Sequence, residues 1–164
     1  MSGRSTPATV AASTAGVECT LHEYPHNPHS TSYGLEASEA LGVASMRVFK
    51  TLVAQIERNG RTELVVAVVP VDCLLDLKLL AAALGVKRAE MAAVAAAERS
   101  SGYVVGGISP LGQRRVLSTV IDESVFLHDT VFVSAGRRGL EIELAPVDLV
   151  SLTTAVVAVI ASVG

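Results

Sequence analysis

The 164-residue sequence lacks tryptophan, has few other aromatic residues and contains only two cysteines. Two cysteines are too few for a disulfide framework, and Cys19 and Cys73 do not have the spacing of metal ligands. We therefore expect a reducing, cytoplasmic setting. Positive charge is also scarce, because the formal net charge is −3. This excludes a protein that coats nucleic acid by charge alone, predicts no DNA partner and restricts any RNA contact to a local surface.

Metal ligands in a recognisable pattern are also missing. His22, His26 and His29 lie in one short segment, but Pro25 and Pro28 interrupt it, and no cysteine or acidic cluster joins them. We expect neither a metal site nor a cofactor.

Long apolar runs are few. The N-terminus has no continuous apolar stretch of the kind a secretory signal needs. The C-terminal run, 149–163, is interrupted by Ser151, Thr153 and Thr154. Because it is short for a membrane span, we predict a buried core helix there and no membrane partner.

Half of the residues are apolar, mostly alanine, valine and leucine, so the composition predicts one packed domain over residues 1–164. Helix and strand signals are interspersed without a regular βαβ period, and Asn59-Gly60 predicts a hairpin turn. The pattern favours an α+β fold with a mixed or largely antiparallel sheet. Capping and breaking residues bound helices at 7–15, 32–41, 76–84 and 92–98, and β-rich runs predict strands at 18–24, 48–56, 63–69, 116–121, 130–134 and 140–144.

A glycine-rich stretch, 102–112, is the first candidate site. It contains the pair Gly106-Gly107 followed by Ile108, Ser109 and Pro110. Such a loop could present backbone N–H groups to the oxygens of a ligand. The alternative is an ordinary strand-to-loop junction. The glycine spacing matches neither a Walker loop nor a dinucleotide fingerprint, so nucleotide binding is not indicated.

Lys50 is the second candidate. Strand alternation places it on the same face as Val48, Leu52 and Ala54. A lysine on an apolar face is costly unless its ammonium reaches solvent or meets an anion, so it is either an extended strand-end residue or a cation at the floor of a cleft. Thr51 lies on the opposite face and would reach the same site only if the strand twists or bulges.

A second glycine-flanked turn, 134–139, carries Ser134, Arg137 and Arg138 between two predicted strands and is expected to be a long hairpin loop. No Ser/His/Asp constellation is evident. Neither cysteine has a glycine-rich or electropositive local context, so a protein thiol nucleophile is not expected.

Several short sequence segments together resemble those of the YbaK family of Cys-tRNA(Pro) deacylases. They occur in the family's order over nearly the full chain, and several motifs in register are far more specific than any one of them. The segments are Thr6-Pro7-Ala8, Leu21–Tyr24, Val48–Leu52, Arg99–Tyr103, Gly106–Gln113 and Val133–Leu144.

This resemblance implies a free-standing editing domain that removes cysteine from mischarged proline tRNA and is related to the domain inserted in bacterial prolyl-tRNA synthetases. It implies a mixed, strongly curved, barrel-like sheet with surrounding helices. The partner is the acceptor end of tRNA(Pro), while docking on prolyl-tRNA synthetase stays open. The implied mechanism is attack by the substrate's own thiol, with oxyanion stabilisation at the glycine loop.

By position, the resemblance makes Lys50 the signature lysine and assigns Gly106 and Gly107 to catalysis. Two residues depart from the family pattern: Tyr33 occupies a position where the family often has phenylalanine, and Glu141 one where it often has aspartate. The implied substrate-binding residues are Tyr24, Tyr33, Thr51, Ile108, Ser109, Pro110, Ser134 and Glu141, and Arg137 and Arg138 are the predicted tRNA contacts.

Two other functions remain open at this point. One is a related deacylase for another small amino acid, such as alanine on tRNA(Pro). The other is a module that binds the tRNA acceptor end without turnover.

Overall fold

Helices and strands alternate along residues 4–30 and 32–163, which are the residues that this computed structural model describes. Two short 3₁₀ helices, Ser45–Arg47 and Glu123–Leu127, complete the regular structure. The α-helices are α1 Pro7–Ala15, α2 Tyr33–Leu41, α3 Leu77–Leu84, α4 Val94–Ser101 and α5 Pro146–Thr153. The strands are β1 Cys19–Glu23, β2 Phe49–Arg58, β3 Arg61–Pro70, β4 Cys73–Leu75, β5 Ala89–Met91, β6 Ser118–Asp122, β7 Val131–Arg137, β8 Leu140–Leu144, β9 Val156–Ala158 and β10 Ala161–Val163.

The predicted local signals start and end most of these elements. Thr6 caps α1 by accepting from the Thr9 amide, and Asp76 caps α3 by accepting from Lys78 and Leu79. The hairpin between β2 and β3 turns at Asn59 and Gly60, which both have positive φ. This geometry matches the right-handed twist of the flanking strands, so the predicted turn is confirmed.

The strands of the described residues form three sheets, whose strand orders are β5-β2-β3-β6-β9, β1-β8-β7 and β10-β4. In the five-stranded sheet β3 pairs antiparallel with β2 and parallel with β6. The mixed α+β single domain is therefore confirmed. The strong, barrel-like curvature of the sheet stays a prediction.

The five-stranded sheet is buried on both faces, which explains the continuous apolar run of β3. Val66 and Val68 face the three-stranded sheet, α1 and α5 in the main core. Val65, Ala67 and Val69 face α3 and Ile160 in a second core. A strand covered on both sides needs apolar residues at successive positions rather than alternate ones.

The predicted C-terminal core helix is wrong beyond Thr153. Thr154 adopts a left-handed conformation with φ 51°, which ends α5. The chain then forms β9, which adds a parallel strand to β6, and β10, which pairs with β4. The valine-rich sequence after Thr154 packs well in strands and loses side-chain freedom in a helix. None of the helices in the described part of the chain is long and apolar enough to cross a membrane.

The predicted long loop at 134–139 is also wrong. Strand β7 continues to Arg137, which pairs with Leu140, so only Arg138 and Gly139 form the turn. The pairing shifts between Ser134 and Arg137, which indicates a β-bulge. Gly136 at φ 107° lies in that bulge, where a side chain would collide with Tyr103 and Thr6.

Asp122, at the end of β6, ties the C-terminal strands to the central sheet. Its Oδ1 accepts from the amides of Ile160 and Ala161, each at 2.9 Å, and its Oδ2 accepts from the amide and hydroxyl of Ser124. Burial alone would raise the pKa of Asp122, but these hydrogen bonds outweigh burial and hold it below its ordinary value.

We predict that Asp122→Asn lowers the free energy of unfolding at pH 7 by about 1–3 kcal/mol, because the asparagine NH₂ would face the Ser124 donor. A lowered carboxyl pKa stabilises the fold above the unfolded-state pKa, and this contribution is lost as pH falls through the folded-state pKa. Urea unfolding of both proteins should therefore show a gap that narrows below roughly pH 4. A gap that stays constant down to the acid range would contradict this assignment.

Candidate functional site

A cleft of about 540 Å³ opens beside the first half of β2. Its walls come from β2, the start of α2, the segment leading into α4, the glycine loop and the β7–β8 pair. The lining residues are Tyr24, Ser32, Tyr33, Gly34, Leu35, Val48, Phe49, Lys50, Thr51, Leu52, Val53, Val71, Met91, Ala92, Val94, Ala97, Val105, Gly106, Ile108, Ser134 and Glu141.

The cleft exists because β2 lacks a strand partner along part of one edge. β3 pairs with β2 along its full length, but on the other side β5 pairs only with Ala54–Ile56. Val48 bridges to Phe132 of β7 just before β2 begins. Among the described strands, none pairs with this edge between Phe49 and Leu52. Both faces of β2 can therefore reach the same opening.

Lys50 is half-buried at this open edge and faces the same side as Leu52 and Ala54, as predicted. Burial lowers the pKa of Lys50, and the charges that Cys73 carries as a thiolate and Asp72 as a carboxylate partly offset that effect. Within the described residues its ammonium group has neither a hydrogen bond nor an ion pair. Lys50 is therefore a partly desolvated cation available to an anionic ligand.

Thr51 reaches the same cleft from the other face of β2. Its Oγ1 is buried and has no hydrogen-bond partner among the described residues. Buried hydroxyl groups almost always have a partner. The open edge, rather than a bulge, lets Thr51 and Lys50 share one site.

Glu141 contributes a third polar group without a partner. Its side chain is 6% exposed, and no hydrogen bond or ion pair to it occurs within the described residues. Burial raises the pKa of Glu141 to about 8, because the carboxylate form would lose its hydration. At neutral pH this residue is mainly an uncharged acid that can donate one hydrogen bond.

Glu141 lies between two cross-strand partners, Ser134 of β7 and His22 of β1, and close to Tyr24. Ser134 lies opposite Glu141 across the β7–β8 ladder, and its Oγ accepts from the Gly136 amide at 3.2 Å. Burial, followed by the charge of Glu141, raises the pKa of Tyr24 to about 12. Tyr24 therefore stays a neutral phenol throughout the physiological range.

The glycine loop closes one side of the cleft through Gly106. Gly106 has φ 96°, and an added Cβ would lie 3.5 Å from the Tyr33 ring. The N–H groups of Gly106 and Ile108 have no partner among the described residues. The Gly107 amide instead donates to Val104 at 2.9 Å, and Gly107 packs against the backbone of Arg137, where a Cβ would approach to 2.7 Å. Gly106 is therefore the better placed of the two glycines to donate to a ligand.

Tyr33 is held in the cleft wall by Arg138. The guanidinium carbon lies 4.4 Å from the centre of the Tyr33 ring. The same group bonds to Glu36 Oε1 at 3.1 Å, to Ser30 O at 3.2 Å and to the carbonyl of Asn27. Arg138 thus fixes the segment that leads into α2 and the first residue of that helix.

Five predicted site residues lie outside the cleft lining. Ser109 is fully buried and its Oγ accepts from the Leu111 amide, so it holds the turn that contains Pro110, which also lies outside the lining. Arg137 bonds to Glu23 at 3.3 Å, and Arg138 packs as described above. Gly107, which packs against the backbone of Arg137, is the fifth residue of this set. The catalytic or binding roles of these residues stay predictions.

The apolar part of the lining was missed by sequence reasoning. Val71, Met91 and Val94 come from three separate segments, and nothing in their local sequence connects them. In the sequence, the glycine at position 34 was a weak indication of close packing. In the structure, a Cβ there would lie 2.2 Å from Val71. Only a glycine lets α2 approach Val71, the residue after β3, this closely.

Cys73 was predicted to lack an electropositive local context, and the structure differs in one respect. Cys73 lies close enough to Lys50 for the ammonium to lower its pKa, so its surroundings do include a cation. Burial and the adjacent Asp72 nevertheless dominate and raise the pKa of the thiol. Cys73 is not part of the cleft lining, and Cys19 lies in a separate groove beside α1. No group of three metal-ligating side chains occurs in the described part of the chain.

Comparison with known proteins identifies the family. The family model described as the aminoacyl-tRNA editing domain matches residues 27–152. EbsC of Enterococcus faecalis, a candidate Cys-tRNA(Pro)/Cys-tRNA(Cys) deacylase, is 38% identical over 138 residues, which cover 80% of this chain and 82% of EbsC. The multifunctional Ser/Thr-tRNA deacylase ProXp-y of Escherichia coli is 31% identical over 112 residues, which cover 68% of this chain and 67% of ProXp-y.

A solved structure of a candidate trans-editing enzyme for prolyl-tRNA synthetase superposes with a TM-score of 0.82 over 99% of both chains, at 24% identity. At that identity the likeness shows the fold. The family match covers most of the chain and includes every cleft residue except Tyr24. Together with the identity to EbsC it shows that the chain belongs to the aminoacyl-tRNA editing domain family.

Proposed function

We propose that this protein is a free-standing deacylase that removes cysteine wrongly attached to proline tRNA, with residues 1–164 acting as one editing domain. The observation that carries the proposal is the convergence of three polar groups without partners, on Lys50, Thr51 and Glu141, in one mainly apolar cleft. Polar groups left unsatisfied at one place indicate a site that a ligand completes.

The cleft suits the end of a charged tRNA. Its volume lies within the range of small-molecule sites, which is enough for an amino acid and part of the terminal nucleoside. We assign Lys50 to the phosphate of the terminal adenosine. The Gly106 N–H is assigned to the oxygen of the ester carbonyl, where negative charge develops during the reaction.

The reaction needs little from protein side chains, because an aminoacyl ester is already activated. None of the four histidines belongs to the cleft lining, so the hydroxyl groups there lack an imidazole base. We infer that the thiol of the substrate cysteine attacks its own ester carbonyl. A C–S bond forms, the C–O bond to the ribose breaks, and the ribose oxygen takes the proton that the thiol loses. Proline has no thiol, so correctly charged tRNA escapes.

A second candidate is a deacylase for serine or threonine, which the likeness to ProXp-y favours. A panel of tRNAs charged with cysteine, serine, threonine, alanine and proline tests both candidates. Rapid loss of cysteine alone supports the first proposal, and faster loss of serine or threonine supports the second. Binding of charged tRNA without loss of any amino acid would indicate a module that does not catalyse.

The finer partner assignments are part of the same proposal. The acceptor end of tRNA(Pro) is the substrate, and the protein encounters it free or on prolyl-tRNA synthetase. Arg137 and Arg138 were predicted to contact the tRNA, and this stays a prediction. Both already have intramolecular partners, and only 17% of the Arg138 side chain is exposed.

We predict that Lys50→Ala lowers kcat/KM for deacylation by at least about a hundredfold, as expected for loss of a preorganised cation at the reacting end. The fold should persist, because the change removes a partly desolvated charge without breaking a bond. Lys78→Ala on exposed α3 is the matched control and should react normally. A near-normal kcat/KM for the Lys50 variant would reduce Lys50 to an ordinary strand residue.

The two protein thiols should be dispensable. Cys19→Ser combined with Cys73→Ser should retain at least about half of the wild-type rate, whereas serine in place of the substrate cysteine should slow deacylation by tenfold or more, a barrier increase of about 1.4 kcal/mol. The measurement compares the deacylation rates of wild type and the double variant, and the rates of wild type on the cysteinyl and seryl substrates. An inactive double variant with an intact circular dichroism spectrum would restore a protein nucleophile.

Glu141 should impose a pH dependence. With a pKa of about 8 it is a hydrogen-bond donor below that pH and a carboxylate above it. The deacylation rate should therefore fall as pH rises through about 8. Glu141→Gln still donates a hydrogen bond at every pH, so its rate should not show this alkaline decrease. Glu123→Gln on the exposed surface is the control. If wild type and Glu141→Gln share one alkaline profile, Glu141 does not act as a donor.

A further inference from the structure

A second, more polar groove lies at the far end of β2. It is about 770 Å³ in volume and is formed by the β2–β3 hairpin and by the chain between α3 and β5. Its lining residues are Gln55, Ile56, Glu57, Arg58, Asn59, Gly60, Gly85, Val86, Lys87, Arg88, Ala89 and Glu90.

Two cations in this groove are available for a partner. Lys87 and Arg88 are exposed, and neither has a hydrogen bond or an ion pair within the described residues. Arg58 is instead engaged by Glu63 at 3.3 Å and by the Leu84 carbonyl. Lys87 and Arg88 place two adjacent unpaired positive charges in the groove, although Glu57 and Glu90 also line it.

The groove is continuous with the cleft along β5. Met91 lines the cleft, and Ala89 and Glu90 of the same strand line the groove. Because an extended chain rises about 3.3 Å per residue, Met91 and Lys87 lie at most roughly 13 Å apart. A stacked strand of nucleic acid rises about 3.4 Å per nucleotide, so about four nucleotides span that distance. This is the length of the unpaired 3′ end that a tRNA carries.

We propose that the groove containing Lys87 and Arg88 binds the phosphate backbone where the paired acceptor stem of the tRNA begins, while the unpaired 3′ end runs along β5 into the cleft. This inference rests on the proposed function. It assigns RNA recognition to the other end of β2, away from the β7–β8 turn, where Arg138 holds Tyr33 in the cleft wall. Glu90 accepts a hydrogen bond from the Gln55 amide at 2.5 Å, which holds its carboxylate at Gln55 rather than at Lys87 or Arg88.

Phosphate contacts position the RNA without reading its sequence. The groove should therefore set affinity for the stem and leave the chemical step unchanged. A short substrate that ends before the stem should not use the groove at all. These two consequences separate a docking surface from a residue that supports the cleft.

The test uses a labelled, uncharged RNA hairpin with the acceptor stem and its unpaired CCA end, and measures binding by fluorescence anisotropy from low to moderate salt. Lys87→Ala with Arg88→Ala should weaken binding and reduce the slope of log Kd against log salt by roughly 2, about one for each lost contact. Arg114→Ala with Arg115→Ala, which removes the same charge elsewhere, is the matched control. Lys87→Arg with Arg88→Lys should bind like wild type.

A companion measurement uses cysteine esterified to the trinucleotide CCA. The Lys87/Arg88 variant should deacylate it at the wild-type rate, while its KM for the full charged tRNA rises. An unchanged salt slope, or an equal loss in the Arg114/Arg115 control, overturns the inference. Failure of the wild type to deacylate any charged tRNA would overturn the proposed function instead, and hairpin binding would still be decided independently.

Discussion

The incomplete pairing of β2 is the constraint on which the site depends. One edge of this strand is fully paired with β3, whereas the other is paired only where β5 covers Ala54–Ile56. A strand edge without a partner is normally a liability, because its backbone groups can recruit another strand. Here the glycine loop, α2 and the segment leading into α4 surround the open edge without pairing with it. The gap between these elements is the cleft, and it exposes adjacent residues of both strand faces to one volume.

The polar groups in that volume work against stability. A half-buried ammonium, a buried hydroxyl and a buried carboxyl all lack partners among the described residues, and each would be more favourable in water or with a partner. The rest of the molecule offsets this cost with a sheet that is buried on both faces and with the closely packed wall built on Arg138. Rigid support around unsatisfied groups keeps them from finding partners of their own, so they remain available to a ligand.

Much of the local structure could be predicted because the deciding interactions are close in sequence. Thr6 and Asp76 cap helices within three residues, and the Asn59-Gly60 turn specifies its own hairpin. The prediction was wrong after Thr153, because periodicity does not separate a buried helix from a buried strand in an apolar run, and the pairing with β6 decides. Lys50 stood out by alternation alone. The isolation of Glu141, the stacking of Arg138 on Tyr33 and the apolar lining depend on residues distant in sequence, so no local pattern indicated them.

The pairing of β1 with β8 has a consequence for how the protein folds during synthesis. Cys19 pairs with Leu144, and β4 finds its partner β10 at the end of the described chain. Pairings between distant segments form slowly, because the intervening chain must first give up its freedom. While the ribosome is still making the second half of the chain, β1 and the apolar run of β3 have been synthesised without their later partners. Ser134 and Glu141 can therefore complete the cleft only after β7 and β8 have been synthesised.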